Sequence, residues 1–400
     1  MAGKQNYDVI FIGGGLAAAL AALLLKTRCP TLSFVIVDSQ GECKLPQTWS
    51  FQSLPYTIDP TRTKVFSVLN ESWLQKFVTK SWSGYSVRFP SSSKDFSIAY
   101  HSIRSADFWT SIKQELGDAF VSGESVSSVQ NHEVVTQNGK RFHGRQIIDA
   151  RGWAKDGFAI AGYQKFLGLT IRTAVPHGVS HPILMDATVP QVDGFRFLYT
   201  LPWTDTELLI EDTRYSNGPD IDDDDYRAAI LAYAHDQGYV VKDIVGEEKG
   251  VLPLPSFSKK GFETDRLAPH IPQLGVRGGF FHPTTGYSIY DAVLGAEQLL
   301  ESCEHAFANI GSDLIGLGRR RWDDQEFYRR LNNMLFFAAE KENRYQVLER
   351  FYEHDNELIS RFYAGATSTR DKFRILLGRP PIPIKPALFH FFNRSEVQHV

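Results

Sequence analysis

The sequence predicts an α/β protein in which a parallel-sheet nucleotide-binding domain is interleaved with an antiparallel-sheet domain and followed by a helical C-terminal region. Three observations carry that expectation. The chain opens as strand, glycine-rich turn, helix and strand; its middle alternates apolar and polar residues at the period of half-buried strands; beyond Trp322 it is helical with recurring aromatic pairs. Four hundred residues exceed what one core usually absorbs. A net charge of −3, from 43 basic and 46 acidic residues, gives no reason to expect a nucleic-acid partner. The cysteines, Cys29, Cys43 and Cys303, form no CxxC and no metal-ligand spacing, so a reducing compartment without structural disulfides or zinc is expected. Val9 to Leu25 is an apolar run behind Lys4 that resembles a signal peptide, but its GGGLAAAL core has a better reading. No other run is long enough to span a bilayer, and a cytoplasmic chain is expected.

Taken in order, Asp8 to Ile12 reads as a central parallel strand, apolar because both faces are covered. Gly13, Gly15 and Ala18 then match G-x-G-x-x-A at the opening of a helix. The first glycine permits the turn, the second lets backbone approach a pyrophosphate, and the small third residue lets helix and strand pack closely. A second strand, Leu32 to Val37, ends in Asp38, placed to accept ribose hydroxyls. The plain alternative is an Ala/Gly-rich helix packed on a sheet. In HSIRSADFW, Ser105 is expected to cap a helix; Arg104 beside it reads equally as a phosphate contact or a surface arginine. GRQIIDARGW contains a strand, Gln146 to Ile148, that re-enters the sheet. The later strand–loop–helix stretch around Gly279 and Pro283-Thr284-Thr285-Gly286 is placed as the element that closes over a flavin in large FAD enzymes. No second G-x-G-x-x-G unit follows a strand, so FAD is the expected cofactor and NAD(P)H is expected to act transiently at the flavin. The fold expected is therefore a Rossmann-like FAD-binding domain of the glutathione reductase/hydroxylase type, over 1–75, 101–158 and 271–320. An antiparallel-sheet substrate domain takes 76–100 and 159–270, and the helical region takes 321–400.

Within the middle, GFRFLYTLP sets Phe195, Phe197, Tyr199 and Leu201 on one face of a strand, PWTDT turns, and LLIEDTRYS returns beside it. Alternation puts Leu209, Glu211 and Thr213 on one face and Leu208, Ile210 and Asp212 on the other, so each face pairs aliphatics with a carboxylate. On the residues alone, Glu211 is either a buried acid or a surface ion-pair partner of Arg214 or Lys260. Asp222 to Asp225 sit where a helix N-terminus expects acids, and no metal site is expected. From Arg370 onward six basic residues (Arg370, Lys372, Arg374, Arg379, Lys385 and Arg394) face Asp371 and Glu396, a net of +4. They interleave with Ile375, Leu376, Leu377, Ile382, Ile384 and LFHFF. That pattern suits a segment lying on anionic lipid, or a loose or self-packed tail.

TWSF (48–51), DARG (149–152), FLYTLP with LLIEDTRYS, GVLPLPS (250–256), GGFFHPTTGYS (278–288), LNNMLFFAA (331–339) and RFYAG with LLGRPPIPI together resemble the bacterial lycopene β-cyclase family over nearly the whole chain. One departure is Leu45-Pro46-Gln47, where the family pattern has Gly-Asn-His before Thr-Trp. The resemblance implies a carotenoid substrate, lycopene, and conversion of its acyclic ends to β-ionone rings by protonation, ring closure and proton loss. It implies reduced FAD that is not consumed, with NAD(P)H as the electron donor; the basic, apolar C-terminal stretch, for its part, points to peripheral association with the inner face of the membrane. It implies Glu211 as the general acid, pointing among Phe197, Tyr199 and Trp203, with Asp212 behind it, paired with Arg196 or Arg214. His282 is left as a flavin contact, a proton acceptor or a satisfied loop histidine. Two other readings fit the same fold: an FAD-dependent monooxygenase or prenyl-chain reductase, and a non-enzymatic isoprenoid-binding protein.

Overall fold

The computed structural model describes residues 5–40, 46–53, 72–130, 132–153, 158–258, 271–305, 307–377 and 382–395; Lys4, Cys43, Leu45, Lys260, Arg379 and Glu396 lie outside them. The chain opens as β1 (Gln5–Ile12), α1 (Leu16–Arg28), β2 (Phe34–Val37) and β3 (Thr48–Gln52). After the short α2 (Ser72–Gln75) come β4 (Lys80–Trp82), β5 (Tyr85–Arg88), β6 (Ser93–Phe96), β7 (Tyr100–Arg104) and α3 (Ser105–Leu116). β8 (Phe120–Val121), β9 (Val126–Gln130), β10 (Glu133–Thr136) and β11 (Arg141–Asp149) follow. These build a six-stranded sheet in the order β8-β2-β1-β11-β10-β9, with β1 parallel to both β2 and β11.

Both faces of β1 are apolar because both are covered. Val9 and Phe11 pack with α1 on one side, while Ile10 and Ile12 join Val35, Val37 and Ile147 on the other. α1 is Ala- and Leu-rich, buried from Leu16 to Leu25, and carries Lys26 and Arg28 in its last turn, where they complement the helix dipole. The apolar run from Val9 to Leu25 is thus strand, turn and core helix; among the described residues no helix is long and apolar enough to cross a membrane. The third entry into this sheet is marked by Gln273 bridging Asp149 in parallel.

The second sheet contains β12 (Ile160–Thr173), β13 (Ile183–Asp186), β14 (Phe195–Pro202), β15 (Glu207–Ser216) and β16 (Val241–Pro255). Its order is β16-β12-β15-β14-β13-β5-β6, antiparallel except where β13 meets β5. One face is covered by α4 (Asp223–Asp236), which packs Tyr226, Ile230 and Tyr233 on Leu167, Leu198, Leu208 and Ile210. The acids before α4 do cap it: the Asp222 side chain accepts from the amides of Asp224 and Asp225. No metal-ligand cluster occurs among the described residues. β3 pairs with β7 in a small β3-β7-β4 sheet against the other face.

The remaining helices are α5 (Ile289–His305), α6 (Ile310–Asp324), α7 (Glu326–Phe337), α8 (Arg344–Phe351), α9 (Asn356–Tyr363), α10 (Thr369–Leu376) and α11 (Ile384–Phe392). α5 packs on α1, whereas α7 and its neighbours pack on the aromatic face of the second sheet, bringing Tyr328, Leu331 and Phe336 to Phe195, Phe197 and Tyr215. Buried Arg344 fastens them there, donating to the Tyr215 carbonyl (3.0 Å) and to Asn217 (2.7 Å). Toward the end of the described residues, Ile382, Ala387 and Phe391 are buried, while Ile384, Leu388, Phe389 and Phe392 of α11, Phe373 and Leu376 of α10 and Leu377 just after it stand outward.

Candidate active site

At the dinucleotide end, Gly13 has φ +92°, and a Cβ there would lie 2.9 Å from the Ala150 carbonyl and the Arg151 backbone. Only glycine fits such a turn. A Cβ on Gly14 would come within 2.7 Å of Asp38 Oδ2, so the acid closing β2 sits directly over the glycine turn. Gly15 caps α1 and is exposed, with nothing nearer to a built Cβ than the Ala150 carbonyl at 3.9 Å. Ala18 is fully buried in the contact between helix and sheet. The first turn of α1 carries no acid. Exposed amides at a positive helix end, beside an open approach, fit a dinucleotide phosphate.

The second loop is built differently from the expectation. α5 starts at Ile289, so Pro283 to Gly286 form a turn before it. Gly279 (φ +73°) ends the short helical turn Gly275–Gly278, and Gly286 (φ +71°) turns against Leu252 and Gln164. The Pro283 carbonyl accepts from Asn332, and the Thr284 carbonyl accepts from the Tyr215 hydroxyl (3.0 Å), binding the loop to the second sheet and to α7. The amides of Thr284 and Thr285 both donate to His282 Nδ1 at 3.2 Å. His282 is therefore a loop-building histidine: burial and the nearby Arg321 charge hold its pKa at about 3, and its ring packs on Tyr328 and Phe362. Thr285 Oγ1 is buried without a hydrogen-bond partner beside Gly286, a group that an added ligand at this loop would satisfy.

Two expectations near α3 are corrected. Ser105 is the first helical residue, Arg104 holds the capping position, and the Ser105 hydroxyl accepts from the Gln47 amide (2.8 Å). The Arg104 guanidinium, read as a phosphate contact, turns to the second sheet: it donates to Glu207 (3.1 Å) and lies 4.1 Å over the Trp203 ring. Its place at the end of β7, which runs in the small sheet, directs it there.

The acids of β15 separate as alternation requires. Asp212, expected behind Glu211 and paired with Arg196 or Arg214, lies on the α4 face, fully buried. It accepts from Arg196 Nε at 3.0 Å to each oxygen and from Arg214 Nη2 at 3.0 Å. Arg214 continues to Asp225 and covers the Tyr226 ring. Asp212 thus ties Arg196 and Arg214 together beneath α4, on the face away from the aromatic side chains. Glu211 lies on the opposite face and, among the described residues, pairs with neither Arg214 nor any other basic group; the Thr213 hydroxyl donates to it at 2.6 Å. Burial first, then the Glu248 charge, raise its pKa to about 8. It nonetheless keeps some accessible surface; a side chain that has lost its water yet retains open surface borders an interior space rather than the bulk.

Register lines up the rest of the site. Tyr199 on β14 faces Glu211, Glu211 faces Gly168 on β12, and Gly168 faces Glu248 on β16. Residues opposite one another share a face, so the row runs Tyr199, Glu211, Gly168, Glu248. Phe197 and Leu201 flank Tyr199 on that face, and Trp203 follows beyond the strand end. The Tyr199 hydroxyl bonds to Ser50 (2.9 Å) and Tyr100 (3.0 Å), and Tyr100 bonds to Tyr287 (2.7 Å), one residue past Gly286. A chain of hydroxyls therefore joins the loop before α5 to the row that holds Glu211. Sequence reading missed Glu248. Its only signal was a carboxylate within VGEEKG just before GVLPLPS; the strand on which it lies and its distance from β15 in sequence, with α4 between, hid its neighbours.

The comparisons agree with this construction. The family model described as lycopene cyclase protein matches residues 8–389. A lycopene beta-cyclase from Pseudescherichia vulneris is 38% identical over 394 residues, covering 97% of this chain and 99% of that protein. One from Pantoea ananas is 36% identical, covering 96% and 98%. Among solved structures, a geranylgeranyl bacteriochlorophyll reductase-like protein from Thermoplasma acidophilum superposes with a TM-score of 0.64 at 12% identity, over 94% of this chain and 99% of that one. HpxO from Klebsiella pneumoniae, complexed with FAD and uric acid, gives 0.62 at 14% identity over 92% and 97%. The structural likenesses establish a flavoprotein fold, and the sequence likenesses establish more: the chain belongs to the lycopene cyclase family.

Proposed function

We propose that the chain is a lycopene β-cyclase that closes each acyclic end of lycopene into a β-ionone ring, by acid–base chemistry with no net redox change. The observation that carries this is Glu211: a carboxyl with no basic partner among the described residues, on the aromatic face of the second sheet, raised to about 8 and so protonated at neutral pH. An alkene is a poor base, and a carboxyl at its usual pKa of about 4.3 would already be ionised. Glu211 delivers its proton to the terminal double bond; Phe197, Tyr199 and Trp203 shape the chain for attack by the neighbouring alkene and face the resulting cation, each worth about 0.5–2 kcal/mol. Gly13, Gly15, Ala18 and Asp38 would hold the dinucleotide part of FAD, and Gly279, Pro283, Thr284, Thr285 and Gly286 form the loop against its ring. When bound in its reduced form, FAD supplies negative charge beside the cation. NAD(P)H serves as the donor that produces that form, which makes the enzyme an isomerase in its overall chemistry.

The test is anaerobic incubation of flavin-loaded protein with NAD(P)H and lycopene. Cyclised product of unchanged mass is expected, and Glu211→Gln is expected to abolish it. A product of shifted mass would assign the chain to the reductases or monooxygenases sharing its fold.

We also propose that the protein reaches its substrate by resting on the cytoplasmic membrane face through α10 and α11. Phe373, Leu377, Phe389 and Phe392 are 60% or more exposed. Ile384, Leu388 and Phe392 recur every four residues along one side of α11, which also carries exposed Lys385 and is followed by exposed Arg394; exposed Arg370 lies on α10. Apolar anchors with a basic surround suit anionic lipid.

A further inference from the structure

The chemistry proposed above uses one carboxyl, whereas the sheet presents two. Glu211 and Glu248 are both register partners of Gly168, on the strand between theirs. They point to the same face two strand spacings apart, about 9–10 Å between Cα atoms, across a residue without a side chain. A Cβ at Gly168 would lie 3.1 Å from Leu209 Cδ1, 3.3 Å from Glu248 Cγ and 3.4 Å from Glu211 Cβ, so both acids lean toward the glycine with the Leu209 methyl beside them. Their surroundings differ. Glu248, buried, accepts from the Thr48 hydroxyl of β3 (3.0 Å) and lies in the field of Arg104 of β7, itself paired with Glu207. Among the described residues, Glu211 meets Thr213 on its own strand, Tyr199 from β14 with Tyr100 and Tyr287 behind it, the charge of Glu248, and the field of Asp212 through the sheet. The cation stands at the Glu248 end.

We propose that Glu248 is the ionised half of a one-proton carboxyl pair, holding the proton on Glu211 before the reaction and taking up the proton that ring closure releases. This rests on Glu211 being the acid. The O–H bond of Glu211 breaks as a C–H bond forms at the terminal alkene. The neighbouring alkene's electron pair makes the ring C–C bond, and the cation moves into the ring. An adjacent C–H bond then breaks, its pair becomes the ring double bond, and its proton goes to the Glu248 carboxylate. The pair ends with one proton, as it began, and its return across Gly168 resets the site without electrons or an outside acid. The carboxyls titrate as a pair, in two steps that belong to both. Burial raises both above the ordinary carboxylate range, Glu248 less far because the Thr48 hydroxyl and the Arg104 charge favour its ionised form.

The test uses the flavin-loaded, reduced enzyme. Glu248→Gln keeps an acceptor for Thr48 and removes the charge. It is expected to lower kcat about 10²-fold with KM little changed, and to move the alkaline limb of the pH profile down by about one to two units. Glu248→Asp restores the charge and is expected to return the limb toward that of the parent. Infrared spectra without substrate give a second readout: a protonated-carboxyl band persisting through neutral pH, absent in Glu211→Gln and titrating at lower pH in Glu248→Gln. An unshifted limb in folded, flavin-binding Glu248→Gln overturns the pair. If that variant does not fold, the parent spectrum decides, and no protonated band at pH 7 overturns it too. Turnover by Glu211→Gln would instead sink the acid assignment, a distinguishable failure.

Discussion

Glu211→Gln offers a test of the acid that needs no substrate. The carboxyl is held protonated in the fold at a pKa of about 8, through burial and the nearby Glu248 charge, against about 4.3 in the unfolded chain. Below the unfolded value both states carry the proton and the residue leaves stability untouched. As pH rises the unfolded chain ionises first, so unfolding gains about 1.36 kcal/mol per unit until the folded pKa is passed. Between pH 5 and pH 9 this amounts to three units, or about 4 kcal/mol lost by the parent protein. Gln keeps the shape and does not titrate. The variant is therefore expected to be inactive yet more stable than the parent at pH 9, with little difference at pH 5. For a chain of this size the pH 9 gap corresponds to roughly 4–8 °C in Tm. Thermal unfolding at the two pH values, with flavin content matched, measures it. A gap that does not widen with pH would mean that Glu211 is already ionised in the fold, and the proton donor would have to be sought elsewhere.

Asp212→Asn is expected to do the reverse: removing the charge between Arg196 and Arg214 leaves two buried guanidiniums short of a partner, costing about 3–5 kcal/mol while turnover per folded, flavin-loaded molecule stays within a few-fold. Loss of turnover without loss of stability in denaturant titration would return Asp212 to the chemistry. Gly13→Ala places a Cβ 2.9 Å from backbone at φ +92°, so the purified variant is expected to lack bound FAD by its absorbance; full flavin content would contradict the assignment of the turn. Replacing Leu377 and Phe389 together by Ser is expected to weaken binding to anionic vesicles at least tenfold, since each anchor is worth about 1.5–3 kcal/mol when fully buried, with folding unchanged; equal binding would remove α10 and α11 from the membrane surface. Point changes are the better probe here. Truncation after Gly365 would also strip buried Ile382, Ala387 and Phe391 and the Arg361–Asp371 pair.

Local pattern made much of this fold legible. A strand buried on both faces, a glycine turn and an Ala/Leu helix are each specified within a few residues, so Asp8 to Arg28 could be read directly. Alternation sorted Glu211 from Asp212, because side-chain direction along a strand is a local property. What escaped depends on partners distant in sequence. Glu248 meets Glu211 only because β12 lies between β15 and β16, an order that periodicity does not encode. Arg104 stands beside a helix start, where a phosphate contact is the local expectation, but β7 pairs with β3 and turns its guanidinium toward Glu207 and Trp203. The histidine of GGFFHPTTGYS was ambiguous for the same reason: only the folded loop shows two amides donating to its Nδ1.

The adjacent acids of β15 also show how the site comes to hold a proton at neutral pH. Identical chemistry, one methylene apart, meets opposite surroundings according to which face each side chain enters. Arg196 and Arg214 both enter the α4 face and pair with Asp212, while the Glu211 face receives aromatic rings, hydroxyls and a second carboxyl. A guanidinium about 4 Å from Glu211 would contribute about 4 kcal/mol at an effective dielectric of 20, or about three pKa units, enough to cancel the rise and strip the proton. The acid is thus made by withholding a counter-charge more than by adding any group. A one-residue slip of β15 would exchange the two faces, placing Asp212 before the substrate and Glu211 among the arginines. The ten-residue pairing of β15 with β12, continued on its other side by β14, is what fixes that choice, so the catalytic proton depends on strand register before it depends on any contact that Glu211 makes.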